Sequence, residues 1–246
     1  MDKIYETFNL ITDFPRIANR SIFKFVKKEL EIGNIWSFYF KPKDGFKMRA
    51  GEHLLLNLKH KNPDDRGTIR FYSPSSAPQE ELIRITTRYF GDESSSFKKA
   101  MFEMNEGEEI SVIGPIGKFV INNFEKEYVF IASGVGITPF RSILVDLNNR
   151  KVMPRIKMYY INKSVEILFK DQLMNLSKLN DNFQIDFLNG TEEISEDTLR
   201  DNNSRSGMFY LAGSPDFVSK QKKRLKDLGV SPFRIKFDSF RKAKGK

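Results

Sequence analysis

Near residue 124 the hydrophobic rhythm of this 246-residue chain changes, and that change constrains the fold more than any other feature. Before it, residues 22–30, 35–40, 53–58, 68–72, 82–88 and 109–113 form strand-length runs rich in β-branched or aromatic side chains, separated by Gly, Pro, Asp and Asn. Six such strands predict a small antiparallel barrel. One helix is expected among them over 95–104, where Phe97, Met101 and Met104 fall at i, i+4 and i+7 behind serines suited to capping.

Beyond residue 124, strand-like runs at 128–132, 156–161, 183–188, 208–212 and 234–237 are interleaved with helical patterns at 139–148, 169–179 and 217–228. That alternation implies a parallel sheet with covering helices. The polar stretch Asn122-Asn123-Phe124-Glu125 separates the two rhythms. The expected layout is therefore an N-terminal arm over 1–20, a β-barrel domain over 21–124 and an α/β domain over 125–246. The polar run 201–207 reads as a surface loop and 241–246 as a basic tail.

Composition removes several chemistries. With no cysteine, disulfides, thiolate clusters, cysteine-ligated zinc and a cysteine nucleophile are excluded. Only His53 and His60 are available as imidazoles, which disfavours a histidine metal site or a Ser-His-Asp hydrolase. No run approaches the ~18 apolar residues of a membrane span, and the acidic start Met1-Asp-Lys-Ile-Tyr-Glu lacks a signal-like apolar region. A cytoplasmic setting is expected. The formal charge of +9 suits an acidic partner, and equally nucleic acid or an anionic membrane surface.

The most informative segment is 129–144, in which an apolar strand runs into Gly134 and Gly136 before Thr138 and Pro139 open a helix. Glycines at such a turn let the backbone approach a phosphate, and the helix N-terminus favours an anion. The same glycines also suit a turn that needs them for sterics alone. The third glycine of the Rossmann fingerprint is missing.

Gly134-Val-Gly-Ile-Thr-Pro139 resembles the nucleotide loop of the ferredoxin–NADP reductase-like flavoprotein reductases, which pair a flavin-binding barrel with a pyridine-nucleotide domain. Arg70-Phe71-Tyr72-Ser73 fits that family's Arg-x-Tyr-Ser motif, and in an extended strand Arg70 and Tyr72 share one face. The resemblance implies that Arg70 binds the flavin phosphate, that Tyr72 stacks on the flavin with Phe71 beside it, and that Ser73 hydrogen-bonds near flavin N5. Gly91-Asp-Glu-Ser94-Ser95-Ser-Phe97 fits a Gly-x-x-Ser-x-x-Leu segment with Phe97 replacing leucine; Gly91, Ser94 and Ser95 then face the pyrophosphate, or the serines cap a helix. Gly114-Pro-Ile-Gly117-Lys-Phe119 resembles a barrel-closing turn.

Ala212-Gly213-Ser214-Pro215 matches the family's Cys-Gly-x-Pro-like segment, with Ala212 where many relatives carry a cysteine. Gly213, Ser214 and Pro215 would adjoin the nicotinamide. Phe237-Asp-Ser-Phe240 matches the terminal acidic-x-Phe, which implies that Phe240 edges the flavin. Asn162 and Lys163, after the second parallel strand, occupy the position that selects between NADH and NADPH, and the lysine favours NADPH.

The implied reaction is hydride transfer from NAD(P)H to FAD, with FMN the alternative flavin, assisted by Tyr72, Ser73 and Phe240. Electrons then pass to a separate acceptor: a flavodoxin, ferredoxin, haem or oxygenase component, or a small molecule. An acidic carrier suits the net charge. Two rivals remain at this point: a flavin-binding electron-transfer subunit that turns over only within a larger complex, and a basic nucleic-acid-binding barrel suggested by Phe23-Lys-Phe-Val-Lys-Lys28, a segment that also reads as a strand with a solvated lysine face.

Overall fold

A computed structural model describes residues 20–190, 192, 194–204 and 207–240. The expected N-terminal arm, apart from Arg20, and the basic tail lie outside the described residues. The chain divides into two compact units, with the change at Val120 and Ile121.

The first unit is an antiparallel sheet of β1 (Arg20–Ile32), β2 (Ile35–Lys41), β3 (His53–Asn57), β4 (Ile69–Tyr72), β5 (Ile83–Arg88) and β6 (Glu109–Ile116), in the order β4-β3-β6-β1-β2-β5. Its edge strands are linked beyond β4, where the Ser75 N–H donates to the Arg84 carbonyl of β5 at 2.8 Å. Alternation decides which residues face inward. Phe23, Phe25, Phe38, Phe40, Leu54, Leu56, Ile83, Ile85, Ile110 and Val112 form one buried cluster, which Phe97 and Met101 of α1 (Ser96–Glu103) complete. Each such side chain contributes roughly 1.5–3 kcal/mol on burial. The expected helix and its apolar spacing are both present, and the Ser95 hydroxyl accepts from the Lys98 N–H as the N-cap.

The second unit is a parallel sheet of β7 (Tyr128–Ser133), β8 (Ile156–Asn162), β9 (Phe183–Asn189), β10 (Met208–Gly213) and β11 (Ile235–Ser239), in the order β11-β10-β7-β8-β9. Helices α2 (Thr138–Asn149), α3 (Lys170–Leu179), α4 (Glu196–Ser204) and α5 (Pro215–Asp227) accompany it. Because β7 is central and the order reverses between β7 and β10, their carboxyl ends form the crevice where doubly wound sheets hold ligands.

The chain around 201–207 corrects one expectation. Residues 201–204 are not loop but the last turn of α4. That helix starts with the Ser195 hydroxyl accepting from the Thr198 N–H at 3.1 Å, carries Glu196 and Asp197 in its first turn, and buries Leu199 completely. A lone buried leucine in an otherwise polar segment leaves little hydrophobic period to read, so the cap and the acidic first turn are its signals.

Candidate functional site

In the first unit the edge strand β4 points Arg70 and Tyr72 to the same side as their β3 partners Leu56 and Leu54. Phe71, between them, lies on the opposite face and is 64% exposed. The structure thus brings Arg70 and Tyr72 together and sets Phe71 apart. Both inward residues pack around Phe97 of α1: the Arg70 guanidinium lies 5.4 Å from that ring and the Tyr72 ring 6.0 Å from it. Burial pushes the Tyr72 phenol well above its ordinary range, against the opposing charges of Arg70 and Arg66.

Arg70 is held in one orientation. Its Nη1 donates to the carbonyls of Arg66 and Gly67 at 2.9 Å and of Ile69 at 2.8 Å, and its Nη2 donates to Asp64 Oδ1 at 2.5 Å. Its Nε is buried and has no hydrogen-bond partner. An orphaned donor on a fixed cation fits an incoming anion. Asp64 is fixed in turn, because its N–H donates to Ser96 Oγ at 2.9 Å in the first turn of α1. Burial opposes ionisation of its carboxyl, but bonds from the Arg66 N–H and the Arg70 side chain outweigh that and hold it below the ordinary value.

Around the start of α1 further cations gather. Lys98 donates to the Arg88 carbonyl at 2.9 Å. Burial, followed by the charges of Arg66, Arg88 and Arg70, pulls its ammonium down to about 8. Gly91 adopts φ +56° and a 3₁₀ turn over Gly91–Glu93 leads to the helix. The Ser94 hydroxyl accepts from the Phe90 N–H at 2.7 Å while Ser95 caps α1, so both serines are engaged in shaping this entry. Arg66, Arg70, Arg88 and Lys98 gather at this helix N-terminus, with Asp64 bonded to Arg70 and Asp92 and Glu93 in the preceding turn, and such a group of cations suits a diphosphate. Arg66, Arg88 and Lys98 escaped the sequence reading; the signal for Lys98 was a cation in a helical first turn, where the macrodipole disfavours one.

Ser73 lies just past β4, is buried, and has its Oγ 2.9 Å from His53 Nδ1. His60 bonds Ser96 Oγ through Nε2 at 2.9 Å. The two histidines thus serve separate serines.

In the second unit, β7 ends at Ser133 and the chain turns through a 3₁₀ segment Gly134–Ile137 into α2, with Pro139 in its first turn and Thr138 buried. Gly134 takes φ +54°, and its carbonyl accepts from the buried Tyr160 hydroxyl at 2.9 Å. Gly136 has a different need: a Cβ there would lie 2.3 Å from the Ala212 carbonyl oxygen and 2.8 Å from Gly213 Cα. Of the two roles the sequence leaves open for this glycine, phosphate approach and sterics alone, the structure shows the steric one: the loop packs against the end of β10.

Gly213 closes β10, and a Cβ on it would meet the Phe217 ring at 2.8 Å. Ser214 caps α5 by accepting from the Phe217 N–H at 3.3 Å, and Pro215 follows at the first helical position. After β11 the Phe240 N–H donates to the Gly213 carbonyl at 2.9 Å, which places Phe240 with Gly136 and Gly213 at the β7/β10 crevice. Asn162 ends β8 with a buried Nδ2 that has no partner. Lys163 packs beside Gly190, whose Cβ would reach its Cγ at 2.5 Å. Among the described residues, Arg70 Nε and Asn162 Nδ2 are the two buried side-chain nitrogens or oxygens lacking a partner, one in each unit.

Two family descriptions match successive stretches of the chain: an oxidoreductase FAD-binding domain over residues 23–121 and a ferric reductase NAD-binding domain over 126–233. A flavohemoprotein of Bacillus subtilis is 28% identical over 239 residues, covering 89% of this chain and 58% of its own length. One component of the Na(+)-translocating NADH-quinone reductase of Pseudoalteromonas atlantica is 28% identical over 204 residues, covering 72% of this chain and 50% of its own length. The chain thus spans about half the length of these curated relatives. Among solved structures, the cytochrome b5 reductase domain of Ulva prolifera nitrate reductase superimposes with a TM-score of 0.76 at 19% identity, covering 90% of this chain and 98% of that one. Ferredoxin-NADP+ reductase from Plasmodium falciparum gives 0.73 at 20% identity, with 91% and 97% covered. At these identities the structural likeness carries the fold alone, an antiparallel unit followed by a parallel one.

Proposed function

The chain belongs to the ferredoxin–NADP reductase-like flavoprotein reductases, and on that premise we propose that it oxidises NADPH, with NADH the poorer donor, and delivers the electrons to a separate acidic carrier protein. The observation that carries the flavin half is the pre-set Arg70 with its orphaned Nε, surrounded by Arg66, Arg88 and Lys98 at the start of α1. What FAD supplies when bound is acceptance of a hydride from the nicotinamide and release of electrons onward. Arg70 and Lys98 hold its diphosphate, Tyr72 packs against its ring system and Ser73 offers a hydroxyl to its N5. The single phosphate of FMN would leave part of this cation cluster unanswered, which favours FAD.

In the nucleotide unit the loop Gly134–Ile137 and the start of α2 receive the dinucleotide pyrophosphate, while Gly213 and Phe240 border the nicotinamide end of the crevice. Asn162 and Lys163 present an amide donor and a cation at the end of β8, where a 2′-phosphate is bound and a 2′-hydroxyl would want an acceptor. Among the described residues no helix is long and apolar enough to cross a membrane.

The absorbance spectrum of the purified chain tests this reading. Bound oxidised flavin is expected, released more readily from Arg70→Ala than from wild type because a charge-assisted bond contributes ~1.5–3 kcal/mol. A colourless protein that takes up neither FAD nor FMN overturns it. Dye reduction by the isolated chain with NADPH separates a self-sufficient reductase from a subunit active only in a complex.

A further inference from the structure

Arg70 owes its orientation to the loop that links β3 to β4. The Arg66 and Gly67 carbonyls and Asp64 Oδ1, all of which its guanidinium bonds, lie in that loop, whose base is closed by the Leu58 N–H donating to the Thr68 carbonyl at 3.0 Å. Where the loop sits therefore decides where Arg70 Nε points. Two hydrogen bonds carry the loop to α1 and end on the same atom, Ser96 Oγ: one from the Asp64 N–H at 2.9 Å and one with His60 Nε2 at 2.9 Å. The His60 ring also meets Phe97 edge-on at 6.2 Å, and Phe97 is the ring against which the Arg70 guanidinium lies.

The direction of these bonds follows from the donors present. His60 Nδ1 is 2.8 Å from the Leu58 carbonyl oxygen, which can only accept, so Nδ1 carries the ring hydrogen and Nε2 of the neutral imidazole is bare. Ser96 then gives its one hydrogen to Nε2, while a lone pair of the same oxygen accepts from Asp64. The helix makes no demand on this hydroxyl, because Ser95 is the N-cap. We propose that Ser96 is a positioning residue for the flavin diphosphate, pinning the β3–β4 loop to α1 through His60 and Asp64 so that Arg70 is held with its Nε kept for a phosphate oxygen. This rests on the assignment of Arg70 to the flavin made above. It adds a hydroxyl that acts through the loop and does not touch the flavin itself.

The test titrates the flavin-free full chain with FAD and with riboflavin, which has the same ring system and no phosphate, reading flavin fluorescence. Ser96→Ala removes both bonds and leaves a good helix former at the first helical position, whereas Ser96→Thr keeps the hydroxyl. Expected for Ser96→Ala is FAD binding weakened about five- to tenfold, the usual worth of a hydrogen bond, with riboflavin binding unchanged and Ser96→Thr close to wild type. Loss of helix packing would instead weaken both flavins alike. His60→Phe, which keeps a ring against Phe97 without an acceptor, is expected to show a smaller loss for FAD, since the bond from Asp64 survives. In an Arg70→Ala background Ser96→Ala should cost nothing more. Wild-type FAD affinity in Ser96→Ala or in His60→Phe, equal weakening of FAD and riboflavin, or independent losses multiplying in the double variant overturn the inference while the flavin reading survives. A wild-type chain that binds no flavin ends both. Where riboflavin binds too weakly to titrate, the cycle with Arg70→Ala decides; if Ser96→Ala does not fold, His60→Phe takes its place in that cycle.

Discussion

Replacing Lys98 with methionine should make the flavin-free protein more stable and its hold on FAD weaker, and the two effects come from one cause. Lys98 is half-buried, donates to the Arg88 carbonyl, and lies among Arg66, Arg88 and Arg70, so desolvation first and these charges second lower its ammonium from 10.5 to about 8. Below pH 8 the folded and unfolded chains both carry the proton, and the folded chain bears the full penalty. Between about 8 and 10.5 the unfolded chain keeps a proton that the folded one has released, so stability rises with pH; above 10.5 neither is charged and the penalty is gone. At about 1.36 kcal/mol per pH unit the full penalty is ~3 kcal/mol, and solvent screening brings the expected gain in Lys98→Met to ~1–3 kcal/mol. Urea unfolding of the flavin-free protein at pH 7 and at pH 10 measures it: the difference between wild type and variant should be large at the lower pH and shrink at the higher. Flavin titration by fluorescence should show FAD binding weakened ten- to hundredfold, because a charge-assisted bond to the diphosphate is lost. A variant less stable than wild type at pH 7, a stability difference that does not change with pH, or unaltered FAD affinity would refute the reasoning.

Other expected outcomes are simpler. Gly136→Val should destabilise the nucleotide unit, since even a Cβ collides with the Ala212 carbonyl, and is expected to lower the melting temperature as well as raise the KM for the nucleotide; a raised KM with unchanged melting would restore phosphate approach as the reason for that glycine. Lys163→Glu is expected to shift the ratio of kcat/KM for NADPH over NADH at least tenfold toward NADH, and an unchanged ratio would remove Lys163 from the 2′-phosphate site. Reduction of an acidic carrier protein should slow as salt shortens the screening length from ~30 to ~8 Å while a neutral dye is little affected. Equal responses would take away the electrostatic case for a protein acceptor.

How far the sequence reached can be followed along the chain. The period-2 runs fixed on Phe23, Phe25, Leu54, Leu56 and Ile85 gave the antiparallel unit, and the i, i+4 spacing of Phe97 and Met101 gave α1, because burial follows directly from backbone periodicity. The strand-turn-helix around Gly134, Thr138 and Pro139 was legible because glycine and proline restrict the backbone locally. Helix α4 was not legible, as its one buried leucine makes no pattern.

What the tertiary structure alone decided were relations between residues far apart in the chain. Ser96 joins Asp64, and Asp64 joins Arg70, only once α1 packs beside the loop before β4. Lys98 meets Arg88 and feels Arg66 and Arg70 for the same reason. Gly136 answers to Ala212 because parallel β7 and β10 place their carboxyl ends side by side, and His53 answers to Ser73 because β3 and β4 pair in one register. Local pattern determined which segments became strands and helices; the charge on a half-buried lysine, the space beside a glycine and the partner of a serine hydroxyl depend on neighbours that only the folded chain supplies.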